Sequence, residues 1–197
     1  MTGGRWRGTK WLREFWAELY AEREPNPNDC KFQEAVMFYT ILERTPVGNL
    51  LVAGDDSGLK HVSFSKSHFS SSTVEPEAHW ERNERKLRDP IRQLRAYFAG
   101  KLQQFDLRLA AEGTEFQSRV WDALCRVPYG STASYGEIAR NVGKPAASRA
   151  VGLANGRNPI AIIVPCHRII GSNGRLVGYG GGLDYKQLLL RLEGAIA

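Results

Sequence analysis

The chain has 197 residues, of which 42% are hydrophobic and 24% charged, and it carries a formal net charge of +6. Those proportions lie near globular averages, which excludes a disordered or fibrous chain, and no apolar run reaches the ~18 residues of a membrane span. Three cysteines, Cys30, Cys125 and Cys166, form an odd set without a disulfide framework and fit a reducing, cytoplasmic setting.

Residues 1–29 read as an N-terminal extension. Trp11, Leu12, Phe15, Trp16, Leu19 and Tyr20 recur at helical spacing until "EPNPNDC", where proline cannot continue the pattern, so an amphipathic helix is predicted. The segment lacks an apolar core followed by a small-residue cleavage site and does not read as a secretory signal.

Residues 30–112 are predicted to form an α/β domain with a small antiparallel sheet. "MFYTILERT", "NLLVAGD" and "LKHVSFS" are β-rich runs separated by "PVG" and "DDSG", the punctuation of successive antiparallel strands. "SKSHFSSSTVEPEAHW" reads as a polar loop, "RDPIRQLRAYFAG" as a helix ended by Gly100, and "QFDLRL" as one more strand. His61, His68 and His79, with Cys30, match no compact zinc-ligand spacing, so no metal is expected.

Residues 113–197 are predicted to form a mainly α-helical domain. "TEFQ" and "SYGE" both have the form of a capping box, in which a hydroxyl accepts from first-turn amides while Gln or Glu reaches back. The first opens a helix burying Phe116, Val120, Trp121 and Leu124. The second opens a short helix to about Asn141, after which Gly143 breaks the chain and Pro145 suits the first turn of a third helix. This short helix, turn and helix bearing Arg149 make a helix-turn-helix of winged-helix-like type. Many such corners bind nothing. Charge weighs against that reading here: residues 114–197 carry ten basic and five acidic side chains, whereas residues 25–113 carry twelve of each. Between Ile138 and Leu183 there are Arg140, Lys144, Arg149, Arg157, Arg168 and Arg175 and no acid, a footprint for phosphates. The third helix, "AASRAVGLANG", surrounds its single arginine with small residues that permit close approach to a groove, where a lone arginine acts as a wedge or a phosphate anchor.

In "IVPCHRII" a cysteine precedes a histidine and an arginine. Imidazole and cationic neighbours lower a thiol's pKa, although neighbours in an extended segment point to opposite faces, so contact between Cys166 and His167 needs a turn or a bridging water. Most free cysteines are inert and buried. The flanking Pro165, the acid-free basic stretch, the helix-turn-helix pattern and the glycine cluster "GYGGGLDYK" point instead to a reactive one. Cys125 falls on an apolar helix face without such neighbours.

Taken in order and spacing, "SYGEIA", "SRAVGLANGRNPIAIIVPCHR", "PCHRII", "GYGGGL" and "LLRLEG" resemble the O6-alkylguanine-DNA alkyltransferase family, over Val36 to Gly194. The resemblance implies DNA repair by direct reversal, in which the alkyl group of O6-alkylguanine, and also of O4-alkylthymine, passes irreversibly to the protein's own cysteine. By position, Cys166 is then the alkyl acceptor, His167 the base acting through water, and Glu193 the residue that orients His167. Tyr135 helps rotate the nucleotide and donates to the departing guanine, and Asn158 ties the helix-turn-helix to the active-site turn. Arg149 is the finger that enters the duplex, with Ser134, Lys144, Ala147, Gly152 and Arg157 contacting DNA. Ile169, Tyr179 and Gly180 line the substrate pocket, where some family members carry serine in place of Gly180. The implied partner is double-stranded DNA, bound through the minor groove with the damaged base flipped out. A monomer without cofactor is implied, cytoplasmic and, in a prokaryote, nucleoid-associated. A tryptophan-bearing, unreactive lesion binder is excluded by Cys166 itself. A cysteine hydrolase and a transcription regulator each explain only part of the motif set.

Overall fold

The computed structural model describes residues 36–64 and 76–197. The predicted N-terminal helix, Cys30, His68 and most of the polar loop lie outside the described residues.

Three strands follow one another as the punctuation predicts: β1 (Phe38–Thr45), β2 (Gly48–Asp55) and β3 (Gly58–Phe64). They pair antiparallel, with Leu42 opposite Leu50 and Val52 opposite Val62. Alternation along the strands sends Phe38, Leu42, Leu50, Val52, Val62 and Phe64 into one core. A fourth strand, β4 (Glu81–Arg82), runs parallel to β1, so the sheet is mixed, in the order β3-β2-β1-β4. Two charged residues carry no periodic signal, which is why sequence reading passes over β4.

Helix α1 (Arg88–Phe98) stops where expected. Gly100 takes φ +69°, its N–H donating to the Tyr97 carbonyl (2.9 Å) and that of Lys101 to Ala96 (2.8 Å), the left-handed ending that glycine favours. The strand expected at "QFDLRL" does not form. Gln93 of α1 donates its side-chain amide to the Asp106 carbonyl (2.7 Å) and accepts from the Asp106 N–H (2.8 Å), taking the groups a ladder would need. A single bridge between Leu59 and Leu109 remains.

Both capping boxes close. Thr114 caps α2 (Glu115–Cys125) and Ser134 caps α3 (Tyr135–Asn141), with Gln117 and Glu137 returning the bond to the cap amides. Pro145 does not start the next helix. The Ala147 N–H donates to the Lys144 carbonyl (2.9 Å), closing a turn in which Pro145 takes the second position, and α4 (Ser148–Gly156) begins just beyond. Helices α2, α3 and α4 bury Val120, Trp121, Leu124, Ile138, Ala139, Val151 and Ala154, and Trp121 Nε1 donates to the Ala154 carbonyl (2.9 Å). Cys125, at the end of α2, is exposed rather than part of the apolar face. The chain ends with α5 (Leu183–Leu192).

Two links position the site. The Val62 N–H donates to the Pro159 carbonyl and the Ala161 N–H to the Val62 carbonyl, both at 2.9 Å, so residues 159–161 occupy the outer edge of β3. The strand pair β5 (Ala133–Ser134) and β6 (Ile169–Ile170) then joins the start of α3 to the segment following Cys166.

Candidate active site

Cys166 opens a single 3-10 turn, Cys166–Arg168, so the segment is not extended, and Cys166 is 6% exposed. The bend before it contains Ile162, a fully buried β-branched residue at φ +73°, a conformation such residues adopt only when their surroundings impose it. Asn158 spans this bend. Its Nδ2 donates to the Val164 carbonyl (2.8 Å) and its Oδ1 accepts from the Ile160 N–H (3.0 Å).

Burial pushes the Cys166 thiol up, and hydrogen bonding from Asn158, the nearby charge of Lys186 and the amides of Cys166 and Ile162 oppose this only in part. The expectation that Arg168 would help ionise the thiol fails, because that guanidinium turns away. Its Nε and Nη2 fork onto the Glu193 carboxylate (2.8 and 3.0 Å) and its Nη1 donates to the Val127 carbonyl (2.6 Å).

Glu193 is the hub of this buried network. Besides the Arg168 fork it accepts from Tyr97 Oη (2.7 Å) and lies 2.8 Å from His167 Nε2. Burial alone would raise its pKa, but hydrogen bonds from His167 and Arg168 and their charges hold it down at about 2. An ionised carboxylate can only accept, so Nε2 of His167 carries the hydrogen. Burial pushes the imidazole below its usual value, against the pull of Glu193, leaving it neutral with Nδ1 as an acceptor that has no partner among the described residues. A neutral imidazole of fixed tautomer, adjacent to a protonated thiol, is a poised proton acceptor.

Two openings flank this centre. A cavity at Cys166 is lined by Val62 and Phe64 of β3, Asn155 and Asn158, Ala161, and Tyr179 and Gly180 of the glycine run. An open groove is lined by Tyr135, Ser148, Arg149, Gly152, Leu153, Gly171 and Ser172. Arg149 is exposed in it, and Leu153 is 67% exposed, unusual for a leucine on a packed helix. Tyr135 is half-buried. Burial and then the charge of an ionised Cys166 push its phenol up, and its ring lies against Gly152. Lys144 and Arg157 are exposed, while Ser134 and Ala147 are partly buried as helix caps. Ile169 is fully buried, so its side chain forms no open wall.

Sequence reading overlooked the Arg168 fork, Tyr97, Leu153, the reach of β3 into the cavity, and Lys186. Lys186 is 0% exposed, and its ammonium donates to the carbonyls of Ile169, Val177 (2.7 Å) and Gly178 (3.4 Å). It thereby clamps the end of the cysteine turn to the glycine run, and burial lowers its pKa to about 8. The one available signal was a lysine inside an otherwise apolar helical stripe, "DYKQLLLRL". Among the described residues no group of three His, Cys, Asp or Glu side chains is placed to hold a metal ion, and no helix is long and apolar enough to cross a membrane.

Family models match nearly all of this architecture. Residues 37–111 match the ribonuclease-like domain, and residues 115–195 the DNA-binding domain, of 6-O-methylguanine DNA methyltransferase. A methylated-DNA–protein-cysteine methyltransferase of Methanosarcina acetivorans is 58% identical over 159 residues, covering 81% of this chain and 99% of that protein. One from Mycobacterium tuberculosis is 51% identical over 149 residues, 76% of this chain and 88% of that protein. The crystal structure of the M. tuberculosis O6-methylguanine methyltransferase superposes with a TM-score of 0.72 at 49% identity, over 82% of this chain and 95% of that one. The M. tuberculosis protein in complex with DNA gives 0.71 at 48% identity, over 80% and 93%. With both halves matched and relatives aligned almost end to end, the chain belongs to the 6-O-methylguanine-DNA methyltransferase family.

Proposed function

We propose that the protein repairs DNA by taking the alkyl group of O6-alkylguanine, and of O4-alkylthymine, onto Cys166 once and without regeneration. The observation that carries this reading is the buried Cys166 beside a neutral His167 whose tautomer is held by Glu193. In the reaction His167 Nδ1 takes the thiol proton, directly or through one water. The sulfur then attacks the alkyl carbon as the C–O6 bond breaks, and Tyr135 donates to the departing guanine while its charge develops. Ionisation is thus coupled to the base rather than present at rest, in keeping with the raised thiol.

The target atom is inaccessible within a stacked duplex, so the nucleotide has to be flipped out, at a cost of a few kcal/mol. The groove bearing Arg149 and Leu153 supplies a long cation and an apolar wedge, the pairing used at minor grooves. Lys144 and Arg157 serve phosphates, while Ser134, Ala147 and Gly152 allow close approach. Residues 113–197 carry recognition and chemistry in this scheme, and residues 30–112 support the cavity. The protein acts as a monomer in the cytoplasm, on the nucleoid if the cell is prokaryotic, and the relative crystallised with DNA supports the choice of partner.

The test is incubation with a duplex oligonucleotide bearing one labelled O6-methylguanine, followed by mass analysis of the protein. One methyl per molecule on the peptide containing Cys166 is expected. More than one methyl removed per molecule would indicate a turning-over hydrolase and sink the reading. Arg149→Ala should slow repair of the duplex about tenfold or more, corresponding to ~1.4 kcal/mol of the flipping cost, and leave reaction with free O6-methylguanine unchanged. Equal slowing of both, compared by single-turnover kinetics, would remove Arg149 from this role.

A further inference from the structure

The walls of the cavity at Cys166 differ in size. Gly156 of α4, Ala161 of the bend and Gly180 of the glycine run contribute little side chain. A bulky apolar wall comes from a distant part of the sequence, Phe64 at the end of β3, which is 5% exposed.

This ring has little freedom to move. It meets Tyr179 edge-on at 5.7 Å and stacks on Tyr185 at 5.5 Å between centroids. A Cβ on Gly181 would fall 2.8 Å from it, closer than atoms tolerate, so the glycine run presses directly against the ring. The strand that carries it is fixed by the Val62 bonds to Pro159 and Ala161.

Displacement at carbon constrains where an alkyl group can lie. The sulfur approaches opposite the departing O6, so substituents on that carbon project sideways from the S–C–O line. For methyl these are hydrogens. A longer or aryl-bearing group needs room beside the sulfur, and it stays there afterwards as a thioether.

We propose that Phe64 is a specificity-determining residue of the transfer reaction, its ring setting how large an alkyl group fits beside Cys166. The inference rests on Cys166 being the acceptor. Bond changes are those of the parent reaction: C–O6 breaks, C–S forms, and the thiol proton ends on the released guanine. What Phe64 governs is the width of the substituent, so O6-methylguanine reacts with the ring in place and O6-benzylguanine is held back by it.

The experiment compares single-turnover rates of the free bases O6-methylguanine and O6-benzylguanine with the unaltered protein, Phe64→Ala, Phe64→Leu and Phe64→Trp. The benzyl-to-methyl rate ratio should rise about tenfold or more for Phe64→Ala, in the range that a few carbons of pocket volume command. It should rise less for Phe64→Leu and fall for Phe64→Trp. Each ratio is taken on one preparation, so partial unfolding lowers both rates together and cancels. If the alanine variant does not fold, the leucine and tryptophan variants decide by the direction of the ratio. An unchanged ratio in the variants that fold overturns the role of Phe64 while leaving Cys166 as acceptor intact. Failure of the unaltered protein to transfer from either free base or from alkylated duplex would overturn the function and the role of Phe64 together.

Discussion

Cys166→Ala is expected to abolish alkyl transfer from duplex DNA and free base alike, while leaving the fold and the affinity for DNA in place. The substitution removes one buried sulfur, at a cost of about 1 kcal/mol, comparable to a methyl-sized deletion in a core. Binding is expected to survive because Arg149, Lys144 and Arg157 are exposed and independent of the thiol. Labelled oligonucleotide transfer, a DNA-binding titration and thermal unfolding together check the three parts. Cys125→Ala is the matched control. That cysteine is exposed at the end of α2, and its removal should leave transfer untouched. Transfer retained without Cys166 would assign the chemistry to another nucleophile.

The second large effect is expected at Glu193. Replacing it with alanine leaves the Arg168 guanidinium and the His167 Nε2–H buried without their acceptor, and breaking a buried pair in this way costs roughly 3–5 kcal/mol. Glu193→Gln keeps the volume but brings an amide donor against two existing donors, so it should lose most of that stability as well as the fixed tautomer of His167. The pH dependence follows from the direction of the shifts. Folding holds the Glu193 carboxyl at about 2, so in acid the unfolded chain binds this proton more readily than the folded one. Its contribution is fully present above about pH 5 and is lost as pH falls towards 2. His167 acts in the same sense, because burial lowers its pKa on folding and its contribution fades below about pH 6.5. Urea unfolding at pH 5 and pH 3, the interval in which the unfolded chain takes up the Glu193 proton, should show the native protein losing stability in acid and Glu193→Gln, already weakened, losing less. Parallel losses in both proteins would mean that the acid sensitivity lies elsewhere.

The elements legible in the sequence are those specified by near neighbours. Thr114 with Gln117 and Ser134 with Glu137 declare helix starts through contacts three residues apart, and β1 to β3 declare themselves by alternation and turn residues. The misreadings share a different cause. "QFDLRL" has strand composition, but Gln93, more than ten residues earlier, takes its backbone groups. Pro145 suits a helix start and equally suits the turn closed by Lys144 and Ala147. Arg168 stands two residues after Cys166, yet its guanidinium is engaged by Glu193, 25 residues further on. Within the site, Cys166 and His167 stand out from local chemistry alone. Glu193 entered through family resemblance, Lys186 carries only the signal of a lysine within an apolar helical stripe, and no local pattern singles out Tyr97 or Phe64, which act through contacts between distant segments.

The outer edge of β3 has a consequence for the order in which the molecule is built. As the chain emerges from the N-terminus, the outward N–H and carbonyl of Val62 have no partner among the described residues until residues 159–161 arrive, and a bare strand edge invites pairing with other chains. The cysteine follows only a few residues later, and the carboxylate that sets its base comes 26 residues after His167, at the end of α5. Until that last helix docks, His167 has no fixed tautomer and the thiol has neither its buried setting nor its proton acceptor. The chemistry proposed for Cys166 therefore depends on segments far apart in the sequence packing together, because burial of the thiol and orientation of its base come from different ends of the same network.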